Sequence, residues 1–135
     1  MDGRVNRVVL DTSALLIWTL SPERLPPAAR RAIAKGETHG LIASAISLWE
    51  IGLKAQRGAL SLGLPFNDYV QRLRRVDALT LVPVDTRVWL GVLALAWEHR
   101  DPADRVIVAT AQLDGLPLVS SDAAIAQFYA KTVWE

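Results

Sequence analysis

Four short apolar runs, each followed by a stretch of helical periodicity, leave this chain few folds to choose from. The runs are VVL at residues 8–10, GLIAS at 40–44, LTLVPV at 79–84 and LPLVS at 116–120. Runs of this length, bounded by turn residues, read as buried strands, and the 3.6-residue patterns between them read as helices. Strands joined by helical crossovers lie parallel and wind right-handed, so the expected fold is α/β, a sandwich around a mostly parallel sheet. Residues 132–134 can add a fifth strand at an edge.

The helices have legible ends. Asp11 precedes the apolar helix that starts with Thr12 and Ser13, Asp85 precedes the one carrying Val88 to Leu95, and Asp101 with Pro102 opens one that runs to Leu113 and stops at Gly115. An Asp or Ser before the first apolar turn caps it, and proline is tolerated in the first helical position. Further helices are expected over 28–35, closed by Gly36; from Ile46 to near Gly58; over 65–76, with Phe66, Tyr69, Val70 and Leu73 on one stripe; and after Asp122.

A length of 135 residues suits one domain spanning 1–135. There is no cysteine, which excludes disulfides and thiolate metal sites. The N-terminus lacks an apolar leader, and the longest uncharged run, 12–22, is too short for a bilayer, so a cytoplasmic protein without membrane contact is expected. With 15 Lys and Arg against 14 Asp and Glu, nucleic-acid binding would need a local basic patch.

Four acids recur at the strand-to-helix junctions: Asp11 after the first run, Glu50 early in the helix after the second, Asp104 in the first turn of the helix opened by Asp101, and Asp122 after the fourth. In a parallel sheet these junctions share one edge, so residues far apart in sequence converge there. Two carboxylates about 4 Å apart repel by roughly 4 kcal/mol at an effective dielectric of 20, which calls for a cation among them. Oxygen ligands without thiolate or paired histidine select Mg²⁺ or Mn²⁺, ions that activate water for phosphodiester cleavage. A structural reading stands beside this one. Ser47 to Glu50 has the form of a capping box, and an acid near a helix N-terminus gains about 0.3–1 kcal/mol from the macrodipole. His39 and His99 read as isolated surface residues, and the tryptophans as core or interface.

The segments VVLDTSALL, ASAISLWEIGLK, HRDPADRVIVATAQ and LVSSD together resemble the acidic motifs of the PIN-domain ribonucleases, in particular the VapC-type toxins of type II toxin–antitoxin pairs. The resemblance implies a PIN-like three-layer α/β/α sandwich with four to five strands. It implies a Mg²⁺- or Mn²⁺-dependent endoribonuclease in which Asp11, Glu50, Asp104 and Asp122 hold the metal. Ser13, Thr12, Ser121 and Asp101 would support them, Asp101 being the residue that contests Asp104. It further implies a homodimer and a cognate VapB-like antitoxin, whose basic segment would dock beside Trp49 and Leu53 or Leu15 and Trp18. Lys54, Arg57, Arg100 and Arg105 are candidates for RNA contact, with Arg72, Arg74 and Arg75 on a separate helix. The alternatives are a housekeeping RNA-processing PIN nuclease and a non-catalytic PIN-like module. A phosphotransfer enzyme is disfavoured, because Ser13 stands where a second acid would be needed.

Overall fold

The structure, a computed structural model, describes residues 6–135. Five strands, β1 (Val8–Leu10), β2 (Leu41–Ser44), β3 (Leu79–Val82), β4 (Leu118–Val119) and β5 (Thr132–Val133), form one sheet in the order β3-β2-β1-β4-β5. Every pairing is parallel, with Val9 opposite both Ile42 and Leu118. Among the described residues seven α-helices cover it: α1 (Thr12–Leu20), α2 (Pro27–His39), α3 (Ala45–Gln56), α4 (Phe66–Arg74), α5 (Thr86–Ala94), α6 (Pro102–Leu113) and α7 (Ala123–Phe128).

Strand alternation divides the core into two. Val8, Leu10, Leu41, Ala43 and Val119 face a layer containing Leu15, Ile33, Ile51, Tyr69 and Leu73 of α1 to α4. Val9, Ile42 and Leu118 face Val88, Val92, Ile107 and Ile125 of α5 to α7. Because β1, β2 and β4 bury both faces, they read as continuous apolar runs rather than alternating ones, whereas the edge strand β3 exposes Thr80. The chain winds toward β3 over one face, then crosses back beyond β1 over the other. Strand order therefore reverses between β1 and β4, the place where open parallel sheets form a crevice.

The expected strands are all present, β1 with the expected bounds and the other four shorter. Pro83 ends β3 at Val82, and β4 pairs only through Leu118 and Val119. The helix expected over 65–76 spans Phe66–Arg74, and Leu95 falls just outside α5.

Gly36 does not close α2 as expected. The helix continues to His39, and Gly40 ends it with a φ of 127°. Gly36 is buried where the helix crosses the sheet, and a Cβ there would lie 2.3 Å from Leu41 Cδ2. Close approach, not termination, explains the residue. Overpacking a filled core costs about 1–3 kcal/mol, against about 1 kcal/mol gained in helix propensity. Gly36→Ala is therefore expected to lower stability by about 1 kcal/mol in urea denaturation; a raised midpoint would contradict the packing argument.

Candidate active site

Asp11 leaves β1 at the reversal point of the sheet and caps α1, its Oδ1 accepting from the Ala14 N–H at 2.8 Å. It is 6% exposed, and burial pushes its carboxyl up to about 6. The Ser120 hydroxyl and the Ala14 N–H pull it down, and the charges of Asp104 and Asp122 raise it again. Asp122, across the reversal point, caps α7 through the Ala124 and Ile125 N–H groups, both on Oδ1.

Asp104 lies in the first turn of α6, whose cap is Asp101: Asp101 Oδ1 accepts from the Asp104 N–H at 3.0 Å. The Asp104 carboxyl is raised, first by burial and then by the charges of Asp101 and Asp122; His99 opposes this through a hydrogen bond and its charge. Glu50 is also raised, chiefly by burial, with Asp101 and Asp104 adding to the shift and Thr12 and Lys54 opposing it. The four acids thus form one electrostatic neighbourhood at one edge of the sheet.

The capping alternative is correct for Asp11 and Asp122 and does not compete with a site role. Each cap bond falls on Oδ1. For Glu50 it is corrected: the cap of α3 is Ser44, whose hydroxyl accepts from the Ile46 N–H, so Ser47 and Glu50 already lie within the helix. Their side chains turn to α1, where the Thr12 hydroxyl donates to Glu50 Oε1 and lies 2.8 Å from Ser47 Oγ. With the Thr12 proton directed to Glu50, Ser47 donates to Thr12, and the chain of hydroxyls fixes the acid.

Thr12 therefore stands where a supporting residue was expected, but the other hydroxyls are redistributed. Ser13 is exposed and lines an apolar groove with Leu16, Ile17 and Leu20. Ser121 is exposed, while the buried Ser120 lies against Asp11 and accepts from the Asp122 N–H. Ser47 and Ser120 are the hydroxyls that sequence reasoning missed.

Arg105, a candidate for RNA contact, is half-buried, unlike the other three. Its guanidinium donates to the carbonyls of Trp97, His99 and Val92, tying down the chain between α5 and α6. Lys54, Arg57 and Arg100 are exposed, and Lys54 is near enough to Glu50 to lower its carboxyl. His99 is not isolated: its Nε2 is 2.8 Å from Asp104 Oδ2, and its ring stacks on Trp97. Leu15 is fully buried and Trp18 donates to Glu37, whereas Trp49, the residue before Glu50 in α3, is 56% exposed.

The PIN domain family model matches residues 8–131. The chain belongs to the PIN-domain family. A relative, Ribonuclease VapC22 of Mycobacterium tuberculosis, is 33% identical over 116 residues, covering 85% of this chain and 86% of that protein. Among solved structures, VapBC2 from Rickettsia felis bound to a fragment of promoter DNA superposes with a TM-score of 0.63 at 12% identity, covering 90% of this chain and 92% of that one. FitAcB from Neisseria gonorrhoeae gives 0.58 at 23% identity, covering 92% of each chain. A toxin–antitoxin complex from Klebsiella pneumoniae gives 0.56 at 16% identity, covering 93% of this chain and 94% of that one. These likenesses establish the PIN fold expected from the acidic motifs.

As a metal site, the edge of this PIN domain offers only oxygen and imidazole donors. Among the described residues, no three His, Asp or Glu side chains close into a ready-made cage. Mg²⁺ is commonly held by one or two carboxylates together with waters and substrate phosphate, and does not require such a cage. Glu50, Asp104 and Asp122 each place their protein hydrogen bonds on a single oxygen, leaving the second able to accept from water or bind an ion. The donor set fits a hard divalent cation.

Proposed function

We propose that this PIN domain is a metal-dependent endoribonuclease, the toxin of a toxin–antitoxin pair acting in the cytoplasm. The observation that carries the reading is the set of four acids at the reversal point of the sheet, each raised or positioned by its neighbours, with oxygens left over for an ion. Asp11, Asp104, Asp122 and Glu50 would hold Mg²⁺ or Mn²⁺. Such an ion, when bound, polarises a phosphoryl oxygen and lowers the pKa of bound water. Within the chain, the β1 terminus and the Ala14 N–H orient Asp11, the Ser47–Thr12 hydroxyls orient Glu50, and the α7 start orients Asp122. RNA supplies the phosphodiester, and Lys54, Arg57 and Arg100, all exposed, would meet its backbone.

The relative's name gives a ribonuclease, and the solved neighbours include toxin–antitoxin complexes. An antitoxin segment with apolar anchors and a basic side chain would suit the exposed Trp49 and the neighbouring acids. A second copy of the chain would cover Trp89, Leu90 and Leu93 of α5, which are exposed together, Leu93 by 81%.

The test is cleavage of single-stranded RNA by purified protein in the presence of Mn²⁺, then with excess EDTA. Cleavage should vanish with chelator and return with added Mn²⁺. Undiminished cleavage in EDTA would overturn the metal reading. In cells, expression without the antitoxin should arrest growth; normal growth despite cleavage in vitro would instead indicate a housekeeping RNA-processing enzyme.

A further inference from the structure

We propose that His99 is a positioning residue for the nuclease site, held by a stacked aromatic bracket so that it fixes the Asp104 carboxylate for the metal. The inference rests on the metal reading above. The chain between α5 and α6, residues 95–101, has no regular secondary structure. Its conformation is nevertheless heavily specified. Arg105 Nη1 donates to the carbonyls of Trp97 and His99, and Nη2 donates to that of Val92 at 3.0 Å. The Trp97 indole stacks with two rings, Phe128 from α7 at 4.8 Å and 12° and His99 at 4.4 Å and 11°.

The outcome of that bracket is one contact on one acid. Nε2 of His99 meets Oδ2 of Asp104 at 2.8 Å. An ionised carboxylate only accepts, so the imidazole N–H is the donor. The terminal torsion of an aspartate is broad, and a single held donor narrows it. With Oδ2 engaged by His99, Oδ1 is left for an ion.

Helix capping does not account for the contact. Asp101 already satisfies the Asp104 N–H, and Asp101 is the residue in the cap position of α6. Surface pairing does not account for it either: the His99 and Asp104 side chains are only 24% and 21% exposed, and a partly buried guanidinium is committed to holding the loop. The arrangement has the logic of partners behind metal ligands, where loss of the orienting group typically weakens metal affinity about 10–100-fold.

The experiment is a calorimetric Mn²⁺ titration of the full chain, with melting temperature in EDTA measured alongside. His99→Phe keeps a ring to stack on Trp97 and removes the N–H; His99→Gln restores an N–H donor without the ring. The positioning role predicts that His99→Phe weakens Mn²⁺ binding about tenfold or more, with its melting temperature in EDTA little changed, and that His99→Gln recovers most of the affinity. If His99→Phe does not fold, His99→Leu against His99→Gln provides the same comparison. Wild-type affinity in the variant lacking the N–H would overturn the inference. So would equal loss in the donor-keeping and donor-lacking variants, which would make the ring structural only. Failure of the wild type to bind Mn²⁺ would overturn the metal reading itself and the positioning role with it.

Discussion

Asp11→Asn is expected to abolish RNA cleavage and, in chelator at neutral pH, to raise the melting temperature. The two effects share one cause. Asp11 is 6% exposed, and its carboxyl is pushed up to about 6 because burial disfavours the charge. At pH 7.5 the folded protein therefore carries a buried negative charge that the unfolded chain holds at lower cost. Each pKa unit is worth 1.36 kcal/mol, so moving from 3.8 to about 6 corresponds to about 3 kcal/mol. Asparagine removes the charge and remains a good N-cap, its side-chain oxygen accepting from the Ala14 N–H as Asp11 Oδ1 does. A gain of about 2–3 kcal/mol corresponds to roughly 5–10 °C in melting temperature for a domain of this size. Cleavage should fall by more than the about 100-fold expected from losing a mere supporting partner. A variant that is inactive and melts early would mean that Asp11 serves the fold, not the chemistry.

A stability gain from removing a site residue is what separates a functional acid from a structural one. Asp85 provides the contrast within the same chain. It caps α5 through the Val88 N–H at 3.1 Å, is exposed, and is not among the charges that shift Asp11, Glu50 or Asp104. Its replacement by alanine should cost about 1 kcal/mol without affecting cleavage.

The convergence of Asp11, Glu50 and Asp122 was legible because it depends on topology, whereas Asp104 follows a helix, α5, and was placed by its cap Asp101 and the motif. Any parallel sheet brings its strand-to-helix junctions to one edge, and the apolar runs before Asp11, Glu50 and Asp122 were long enough to identify. The caps Asp11, Asp85 and Asp101 were legible for a similar local reason. What escaped depends on register or on distant partners. Whether Ser120 or Ser121 reaches Asp11 turns on a single residue at the end of a strand only Leu118–Val119 long, and strand alternation reverses with each step. His99 looked isolated because its bracket is assembled from Arg105 and Phe128, on two different helices. Arg105 looked like a free cation because nothing in a sequence marks a guanidinium whose donors are taken by carbonyls.

The pH dependence of stability should run opposite to ordinary acid denaturation at this site, and a divalent cation should reverse it. Because the folded pKa of Asp11 lies above its unfolded value, the stabilising state is the protonated one. Its contribution is fully present below about pH 4 and is lost as pH rises through about 6, amounting to about 3 kcal/mol in EDTA. Asp104 and Glu50 shift in the same direction. The decisive measurement is the difference between wild type and Asp11→Asn in urea midpoints from pH 4 to 8, since groups that do not interact with Asp11 cancel in it. In EDTA the wild type should lose ground to the variant as pH rises. With Mn²⁺ the ionised carboxylates become ligands, and a metal at 100 times its Kd adds about 2.7 kcal/mol to the folded state. The wild type should then regain most of what it lost above pH 6, while Asp11→Asn should respond much less. A pH-independent difference in EDTA would mean that Asp11 is not held as a buried charge. An equal response of both proteins to Mn²⁺ would place the ion elsewhere than against Asp11.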